Sequence, residues 1–253
     1  MTEKQARMID ETAHTGMVGQ QLSEELWLKL EAACSEIKIL GPREVLSRAG
    51  ELITHSALLL DGLMVRYIAG NKIATDKRLV VALQVPGDFV DLHAFPLQRL
   101  DHDVRSLTAT RLALFPHDAL KEIIAGSPDH ARSLWRLTMV DAAIHRHWTY
   151  RTGLLRALAA VADFVCEMDL RMQMCGRVED GRVPIGVVQT DLAEVTGLST
   201  MHVSRVIKEL RDAKLCTIRE GYAEIHDRAG LRRISGYHRG YLYIPPTTSD
   251  DLL

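Results

Sequence analysis

The residues best suited to chemistry lie between 199 and 210, where hydroxyl, imidazole, guanidinium and ammonium groups alternate with apolar side chains. Val203, Val206, Ile207 and Leu210 recur at helical spacing and predict one buried face. The opposite face stays available to a partner, and donors of this kind suit the base edges and phosphates of DNA. That face comprises Thr200, Met201, His202, Ser204, Arg205 and Lys208.

A shorter helix is predicted just before this one. Leu192 and Val195 are spaced for one of its faces, and Ala193 is small where a second helix must cross closely. Gly197 marks the turn, and Ser199 can cap the helix that follows. The segment therefore predicts a helix-turn-helix with the second helix as the recognition helix. The alternative is a helix pair of an all-α domain that binds no DNA.

Residues 210–226 favour the DNA-binding alternative, because they predict a helix end, a strand, a turn at Gly221 and a returning strand, which together form a β wing. The surrounding segment also carries an excess of basic residues, as contact with phosphate requires. These are Arg205, Lys208, Arg211, Lys214, Arg219, Arg228, Arg232, Arg233 and Arg239.

The composition fits a soluble regulator with two domains. The chain has 253 residues, 47% of them hydrophobic, and a formal net charge of -2, so any attraction to nucleic acid must be local. No apolar run is long enough to span a bilayer, and the polar start lacks the apolar region of a secretion signal. We expect a cytoplasmic protein with no membrane partner.

Cysteines and histidines give no metal-binding pattern, and no metal is expected. The cysteines show no C-x-x-C pair and predict reduced, mostly buried thiols, at Cys34, Cys166, Cys175 and Cys216. His145 and His147 lie two apart on a predicted helix, so they point to different sides and are expected at the surface or in a dimer contact. No enzyme is predicted, since Asp88 and Asp91 are best explained as turn residues and no nucleophile or nucleotide motif is present.

Residues 20–38 predict a helix, after which short strands and turns predict an antiparallel barrel or roll. The strand segments are 46–50, 56–62, 63–68, 78–85 and 108–115, with turns at Asp61-Gly62, Gly70-Asn71 and Pro86-Gly87-Asp88. Ser127-Pro128 starts a long helix to Arg151, whose apolar stripe is expected to pack on the roll and form a dimer seam that a charge at Ile144 would break. A further helix covers 154–174, residues 177–182 form a linker, and the tail 245–253 is expected to be disordered.

The predicted roll, long helix and winged helix-turn-helix, in this order along the chain, resemble the Crp-Fnr superfamily. Its members are homodimeric bacterial transcription regulators related to the cyclic-AMP receptor protein. The resemblance runs from about residue 22 to 229. Its motifs are Leu59-Leu-Asp-Gly-Leu-Met-Val-Arg-Tyr67, Val85-Pro-Gly-Asp-Phe-Val-Asp91, the start at Ser127 and the helix-turn-helix from Leu192 to Leu210. It implies an α+β fold, with an antiparallel β-roll like a cyclic-nucleotide-binding domain over 1–126, a dimerisation helix over 127–152 and a C-terminal winged helix-turn-helix over 153–253.

The resemblance also implies a homodimer that reads a palindromic site on double-stranded DNA through the major groove, with RNA polymerase as a further candidate partner. Family members read bases with a Glu or Ser and, one turn later, an Arg. Ser204 and Arg205 match the later positions of this family pattern. The Arg205 guanidinium can donate two hydrogen bonds to one guanine. Met201 replaces the Glu, so the preferred site should differ. Phosphate contacts are expected from Gln189, Thr190, Ser199, Thr200 and His202.

The sensor pocket departs from the family's cyclic-nucleotide pattern. Family members that bind cyclic nucleotides have Gly-Glu after the Gly-Asp-Phe turn, whereas this chain has Val90-Asp91 there. At the position of their Arg-Ser pair, this chain has Leu100-Asp101. A carboxylate repels a cyclic phosphate, so we expect no cyclic-AMP dependence and no cofactor. The alternative register pairs Arg105 with Ser106 and keeps a regulator that responds to a cyclic nucleotide or other small ligand in the roll. His93 and His102, the haem-ligand candidates, are expected in loops facing solvent.

Overall fold

The computed structural model describes residues 9, 16–17, 21–70, 73, 75 and 77–244. The chain divides into two compact units, one made of residues 1–138 and 174–176 and the other of 139–173 and 177–253. The division falls inside the long helix, whereas the three-part division at 126 and 152 stays a prediction. Across the described stretches, no helix combines the length and apolar character needed to cross a membrane. The tail 245–253 and Asn71 of the Gly70-Asn71 turn lie outside the described residues.

The first unit is a β-roll with helices on its outside. Its strands form two antiparallel sheets with the spatial orders β1-β7-β3 and β2-β6-β4-β5. The elements are α1 (Glu24–Ala33), β1 (Glu36–Leu40), β2 (Val45–Ser47), β3 (His55–Asp61), β4 (Met64–Ala69), β5 (Arg78–Gln84), α2 (Ala94–Leu97), β6 (Asp103–Ser106), β7 (Thr110–Pro116), α3 (His117–Gly126) and the start of α4 (Pro128–Leu154).

Sheet β1-β7-β3 is covered on both faces, which explains why the middle of β3 is a continuous apolar run. Leu58 and Leu60 pack into a cluster with residues of α1, α3 and α4. Ala57 and Leu59 point the other way, into the interior of the roll. Two cores therefore share this one sheet.

The predicted roll is confirmed, with two corrections to its elements. The helix predicted over 20–38 ends at Ala33, because the next residues form β1 and pair with β7. β6 was absent from the predicted strand segments. Short strands with mixed polarity carry a weak pattern, and pairing with neighbours decides them.

The second unit contains the end of α4 and the C-terminal elements. Its small sheet has the antiparallel order β8-β10-β9. The elements are α5 (Ala157–Met174), β8 (Arg182–Pro184), α6 (Gln189–Thr196), α7 (Thr200–Asp212), β9 (Cys216–Arg219), β10 (Tyr222–Ile225), α8 (Arg228–Ser235) and a 3-10 turn at Gly240–Leu242.

Helices α4 and α5 of this unit are joined by a buried ionic network. The guanidinium of Arg151 is fully buried and donates to Asp163 at 2.6 Å and to Glu167 at 2.5 Å. Glu167 also accepts from the Arg171 guanidinium at 3.0 Å and from the Tyr241 hydroxyl at 2.9 Å. Burial alone would raise the pKa of Glu167, but the Arg151 and Arg171 charges outweigh it and lower the pKa to about 2. The charged groups compensate one another, so they can remain ionised away from water.

His147 was expected at the surface or in a dimer contact, but it is buried beside this network. Its Nε2 lies 2.9 Å from an Asp163 oxygen, and its ring stacks on Tyr241 with centroids 3.7 Å apart. His145 is exposed as expected. Ile144 is also buried, so a charge there would damage the fold of one chain and would not report on a dimer seam.

The cysteines are free thiols, and three of them are buried as predicted, with Cys34 partly exposed. Desolvation raises the pKa of the Cys166 and Cys216 thiols to about 12. These two side chains therefore behave as small apolar residues at neutral pH.

Candidate nucleic-acid interface

The first helix of the predicted helix-turn-helix is α6, and its ends explain the turn. The Asp191 carboxylate accepts a hydrogen bond from the backbone N–H of Val188 at 3.0 Å, which satisfies a donor at the helix start. Gly197 ends the helix in the left-handed region with φ +69°, and its N–H donates to the carbonyl of Ala193. This conformation favours glycine, so the turn predicted at Gly197 is confirmed.

The second helix, α7, begins at the predicted cap. The Ser199 hydroxyl accepts from the backbone N–H of His202 at 3.3 Å. The four residues predicted to form the apolar face are all buried, namely Val203, Val206, Ile207 and Leu210. Burial of this stripe against the unit fixes which side of α7 faces solvent.

The residues predicted to contact DNA are all exposed. Arg205 and Met201 lie one turn apart on α7, and an Arg205 guanidinium nitrogen lies 3.5 Å from the Met201 sulfur. Met201 is 69% exposed, so its apolar side chain is available to a partner. The exposed set is Gln189 and Thr190 at the start of α6, and Ser199, Thr200, Met201, His202, Ser204, Arg205 and Lys208 on or capping α7.

The predicted wing follows α7. β9 and β10 pair antiparallel, and the turn residues Glu220 and Gly221 both have positive φ, at +52° and +78°. Two such residues in succession make the tight turn whose twist matches a hairpin. Arg219 and Tyr222 flank this turn and are exposed.

A third strand of the wing was missed from the sequence. Residues 177–182 were expected to form a linker, yet Arg182 begins β8, which pairs with β10. The Arg182 guanidinium lies 4.8 Å from the Tyr222 ring centroid, a cation–π contact that adds a positive charge to the wing. The alternation of Val183 and Ile185, both buried, was the available signal.

Some of the basic residues predicted to attract phosphate instead form ion pairs within the second unit. Arg228 makes a two-pronged ion pair with Asp169 of α5, at 2.8 and 3.1 Å, so it joins α8 to α5. The Arg211 guanidinium lies 3.8 Å from the neighbouring Asp212 carboxylate. Arg205 and Lys208 remain exposed on α7. A count of basic residues therefore overstates the charge that a phosphate backbone would meet.

Arg105 and Ser106, the pair of the alternative register, both have contacts within the β-roll. Arg105 lies over the Tyr67 ring at 5.2 Å, on the face of its sheet opposite to the core residues Met64 and Val104. Ser106 donates to the Gly41 carbonyl at 2.6 Å and accepts from the Glu44 N–H at 2.9 Å. Both side chains are thus engaged in holding the roll.

The residues at the family position of that pair are a leucine and an aspartate. Leu100 is buried in the core of the roll. Asp101 lies 2.8 Å from His102, and this hydrogen bond lowers the pKa of the Asp101 carboxyl. His102 is buried, contrary to the expected solvent-facing position, and its ring centroid lies 5.3 Å from that of His93. Within the described residues no group of three His, Cys, Asp or Glu could hold a metal ion.

Comparison with known proteins supports this interpretation of the C-terminal segment. The model of the Crp-like helix-turn-helix domain matches residues 159–234. A search among curated protein sequences finds no match.

Solved structures share this fold, and two of those given below are described as regulators. FixK2 from Bradyrhizobium japonicum is 18% identical, with a TM-score of 0.71, and the match covers 79% of this chain and 96% of that one. A CRP-family transcriptional regulator from Thermus thermophilus is 16% identical, with a TM-score of 0.64 and coverage of 79% and 96%. The c-di-GMP responsive global regulator CLP of Xanthomonas campestris is 16% identical, with a TM-score of 0.62 and coverage of 81% and 99%.

The predicted resemblance to the Crp-Fnr superfamily is thereby confirmed. Residues 159–234 are a Crp-like helix-turn-helix domain, and the chain has the fold of the CRP/FNR-family transcription regulators.

Proposed function

We propose that this protein is a homodimeric transcription regulator that binds a palindromic DNA site in a sequence-specific manner and does not depend on cyclic AMP. The observation that carries the proposal is helix α7, with a buried apolar stripe and an exposed face of donors beside a three-stranded wing. Two such helices in one dimer enter successive major grooves about one helical turn apart.

Arg205 and Met201 are the residues that read bases in this proposal. The Arg205 guanidinium donates to guanine O6 and N7, a pairing worth about 1–3 kcal/mol against the wrong base. Met201 contacts a thymine methyl group, and it cannot accept from cytosine N4 as a Glu would. The proposed site therefore differs from that of family members that carry the Glu.

Phosphate contacts set the register of the helix on the duplex. The exposed hydroxyls of Thr190 and Thr200 and the ammonium of Lys208 fit this role. The Ser199 hydroxyl already accepts from a backbone N–H, so it can meet a phosphate only as a donor.

The dimer contact is proposed for the exposed apolar residues of α4. In the second unit Met139 is 50% and Tyr150 43% exposed, and Ala142 lies between them at helical spacing. Trp135, which belongs to the first unit, is 65% exposed and continues the four-residue spacing along the sequence. Exposed apolar residues in such a row fit a helix seam with a second copy.

Independence from cyclic AMP rests on the residues that replace the phosphate-binding pair. Asp101 would repel a phosphodiester, and Arg105 is engaged with Tyr67. RNA polymerase stays a candidate partner.

The decisive experiment is selection of random duplex DNA by the purified full chain at near-physiological salt, with and without cyclic AMP. We expect a two-fold symmetric site that is enriched equally in both conditions and is lost in Arg205→Ala. The matched control is Lys121→Ala, which removes an exposed basic residue from α3, away from both α7 and the proposed seam, and should enrich the same site. Asymmetric sites, or enrichment that survives Arg205→Ala, would refute the proposal.

The seam is tested by Met139→Glu, compared with His145→Glu on the same helix. Six residues of α-helix place position 145 well to one side of position 139, and His145 is exposed. Light scattering should show monomers for Met139→Glu and dimers for His145→Glu. If both variants remain dimers, the contact lies elsewhere.

A further inference from the structure

A cleft opens at one end of the β-roll, where the interior of the roll meets solvent. Its volume is about 200 Å³, and its walls come from β1, β2, β3, β7 and the loop before β3. An engineered cavity of roughly 150 Å³ accepts benzene, so this cleft has room for about eight non-hydrogen atoms. Its lining combines two charged residues, a serine and three apolar residues, namely Lys38, Asp91, Ser47, Leu46, Ile53 and Leu114.

Lys38 is a charged residue on the inward face of its sheet. It pairs across β1 and β7 with Leu112, which pairs in turn with Leu59, and both leucines belong to the core of the roll. Side chains directly opposite one another point to the same face, so Lys38 points into the roll with them. In the described part of the chain its ammonium has no ion-pair partner within 4 Å. A lysine aimed inward without an ion-pair partner breaks the hydrophobic pattern of the sheet.

Asp91 supplies the opposite charge on the floor of the same cleft. It is 2% exposed, and one carboxylate oxygen accepts from the backbone N–H of Ala57 at 2.7 Å. Burial raises the pKa of Asp91 to about 6, while the Ala57 N–H and the Arg66 charge act in the other direction. At neutral pH the group is therefore mainly a carboxylate.

The rest of the cleft combines one unused hydroxyl with an apolar wall. The Ser47 hydroxyl is buried and has no hydrogen-bond partner among the described residues. Leu46, Ile53 and Leu114 pack against the core as partly buried residues and leave apolar surface toward the opening. A buried hydroxyl without a partner is costly, and a polar ligand atom would satisfy it.

We propose that this cleft binds a free α-amino acid with a small apolar side chain, whose carboxylate meets Lys38, whose ammonium meets Asp91 and whose side chain lies on Leu46, Ile53 and Leu114. Two opposite charges that line one cleft without pairing with each other fit a ligand that carries both complementary charges. Two further polar groups lie at the rim: Glu51, whose carboxylate accepts from the Arg48 N–H, and His55, which is hydrogen-bonded to Thr54. The size of leucine or valine matches the available volume.

The test is titration calorimetry on the full chain without DNA, using L-leucine, L-valine, isopentylamine and 4-methylpentanoate. The amine lacks the carboxylate of leucine and the acid lacks its ammonium. We expect one amino acid per chain, with either analogue binding at least tenfold more weakly. Lys38→Met should weaken leucine about tenfold or more without changing isopentylamine, and Asp91→Asn should weaken leucine without changing the acid.

Lys121→Met, an exposed lysine on α3, is the matched control and should bind leucine as the natural chain does. Asp91→Asn keeps an oxygen that can accept from Ala57, so both cleft variants should fold, which circular dichroism checks. The proposal is overturned if no apolar amino acid binds at about 10 mM, or if binding survives Lys38→Met unchanged. Because Arg205→Ala should bind leucine normally, failure here and failure of the DNA-binding proposal are separate outcomes.

Discussion

Charged side chains in the second unit serve two opposite purposes. On α4 and α5, Arg151, Asp163 and Glu167 are buried and bonded to one another. On α7, Arg205 and Lys208 are exposed on a helix whose other face is apolar. The first group holds the fold together, because each charge would be costly without its partner. The second group contributes little to folding, so it can be kept for a partner outside the chain.

The same contrast separates the two units. Buried charges of the second unit find partners within the unit, as Asp169 does in Arg228. In the first unit Lys38 lines a cleft and has no ion pair in the described residues. A polar group that breaks the hydrophobic pattern is thus structural when its partner is present, and a candidate for ligand binding when it is not.

The largest expected effect is on the buried network. Arg151→Met should lower the free energy of unfolding by about 3–5 kcal/mol, because it leaves Asp163 and Glu167 buried without their main counter-charge. Urea unfolding, followed by circular dichroism and by tryptophan fluorescence, measures this. Arg156→Met, an exposed position just before α5, should change it by no more than about 0.5 kcal/mol. If the two variants had equal effects, buried paired charges and exposed charges would contribute alike to stability.

Acid should destabilise the network next. The folded-state pKa of Glu167, about 2, lies below the ordinary value of 4.5. Its stabilising contribution is therefore complete above pH 4.5 and is lost as the pH falls from 4.5 toward 2. In Glu167→Gln, which is less stable at neutral pH, the fall in stability over this range should be shallower. Parallel pH profiles for the two proteins would contradict the lowered pKa.

Arg205→Lys should affect DNA binding and leave folding alone. The ammonium keeps the charge but cannot donate two parallel hydrogen bonds, so discrimination at one base pair per half-site should fall by about 1–3 kcal/mol. Competition between the selected site and a site changed at that base pair measures the loss. The melting temperature should stay unchanged, and a clear drop would mean that Arg205 also supports the fold.

The smallest effect is expected from Lys208→Ala. Loss of one phosphate contact should weaken binding to all sequences alike and reduce the slope of log affinity against log salt by about one per half-site. Affinity measured at several salt concentrations gives this slope. A change in base preference, with the slope unchanged, would move Lys208 from the phosphates to the bases.

The helix-turn-helix was predicted closely because its signals are local. The cap at Ser199, the left-handed turn at Gly197 and the four-residue apolar stripe of α7 are each set within about a dozen residues of sequence. The hairpin turn at Gly221 belongs to the same class. Such features depend on backbone conformation and helical period, which neighbouring residues determine.

Other parts of the fold gave weaker signals. Ile37 and Ile39 alternate in β1, but a helix was predicted there because the apolar residues before them have helical spacing. His147 was expected at the surface, since its partners Asp163 and Tyr241 lie far along the chain. Asp91 was explained by its own turn, and its bond to the Ala57 N–H joins residues 34 apart in sequence.

Short-range sterics and the helical period set the recognition helix, its cap, its turn, the wing hairpin and the start of α4, so these features could be predicted from local sequence. Which charged residues are available depended instead on contacts between distant parts of the chain. Tertiary packing paired Arg228 with Asp169 and buried Arg151 between two acids, and it placed Lys38 and Asp91 in one cleft. The physical reason is that the cost of a charge depends on burial and on its partners, and both are set by residues distant in the chain.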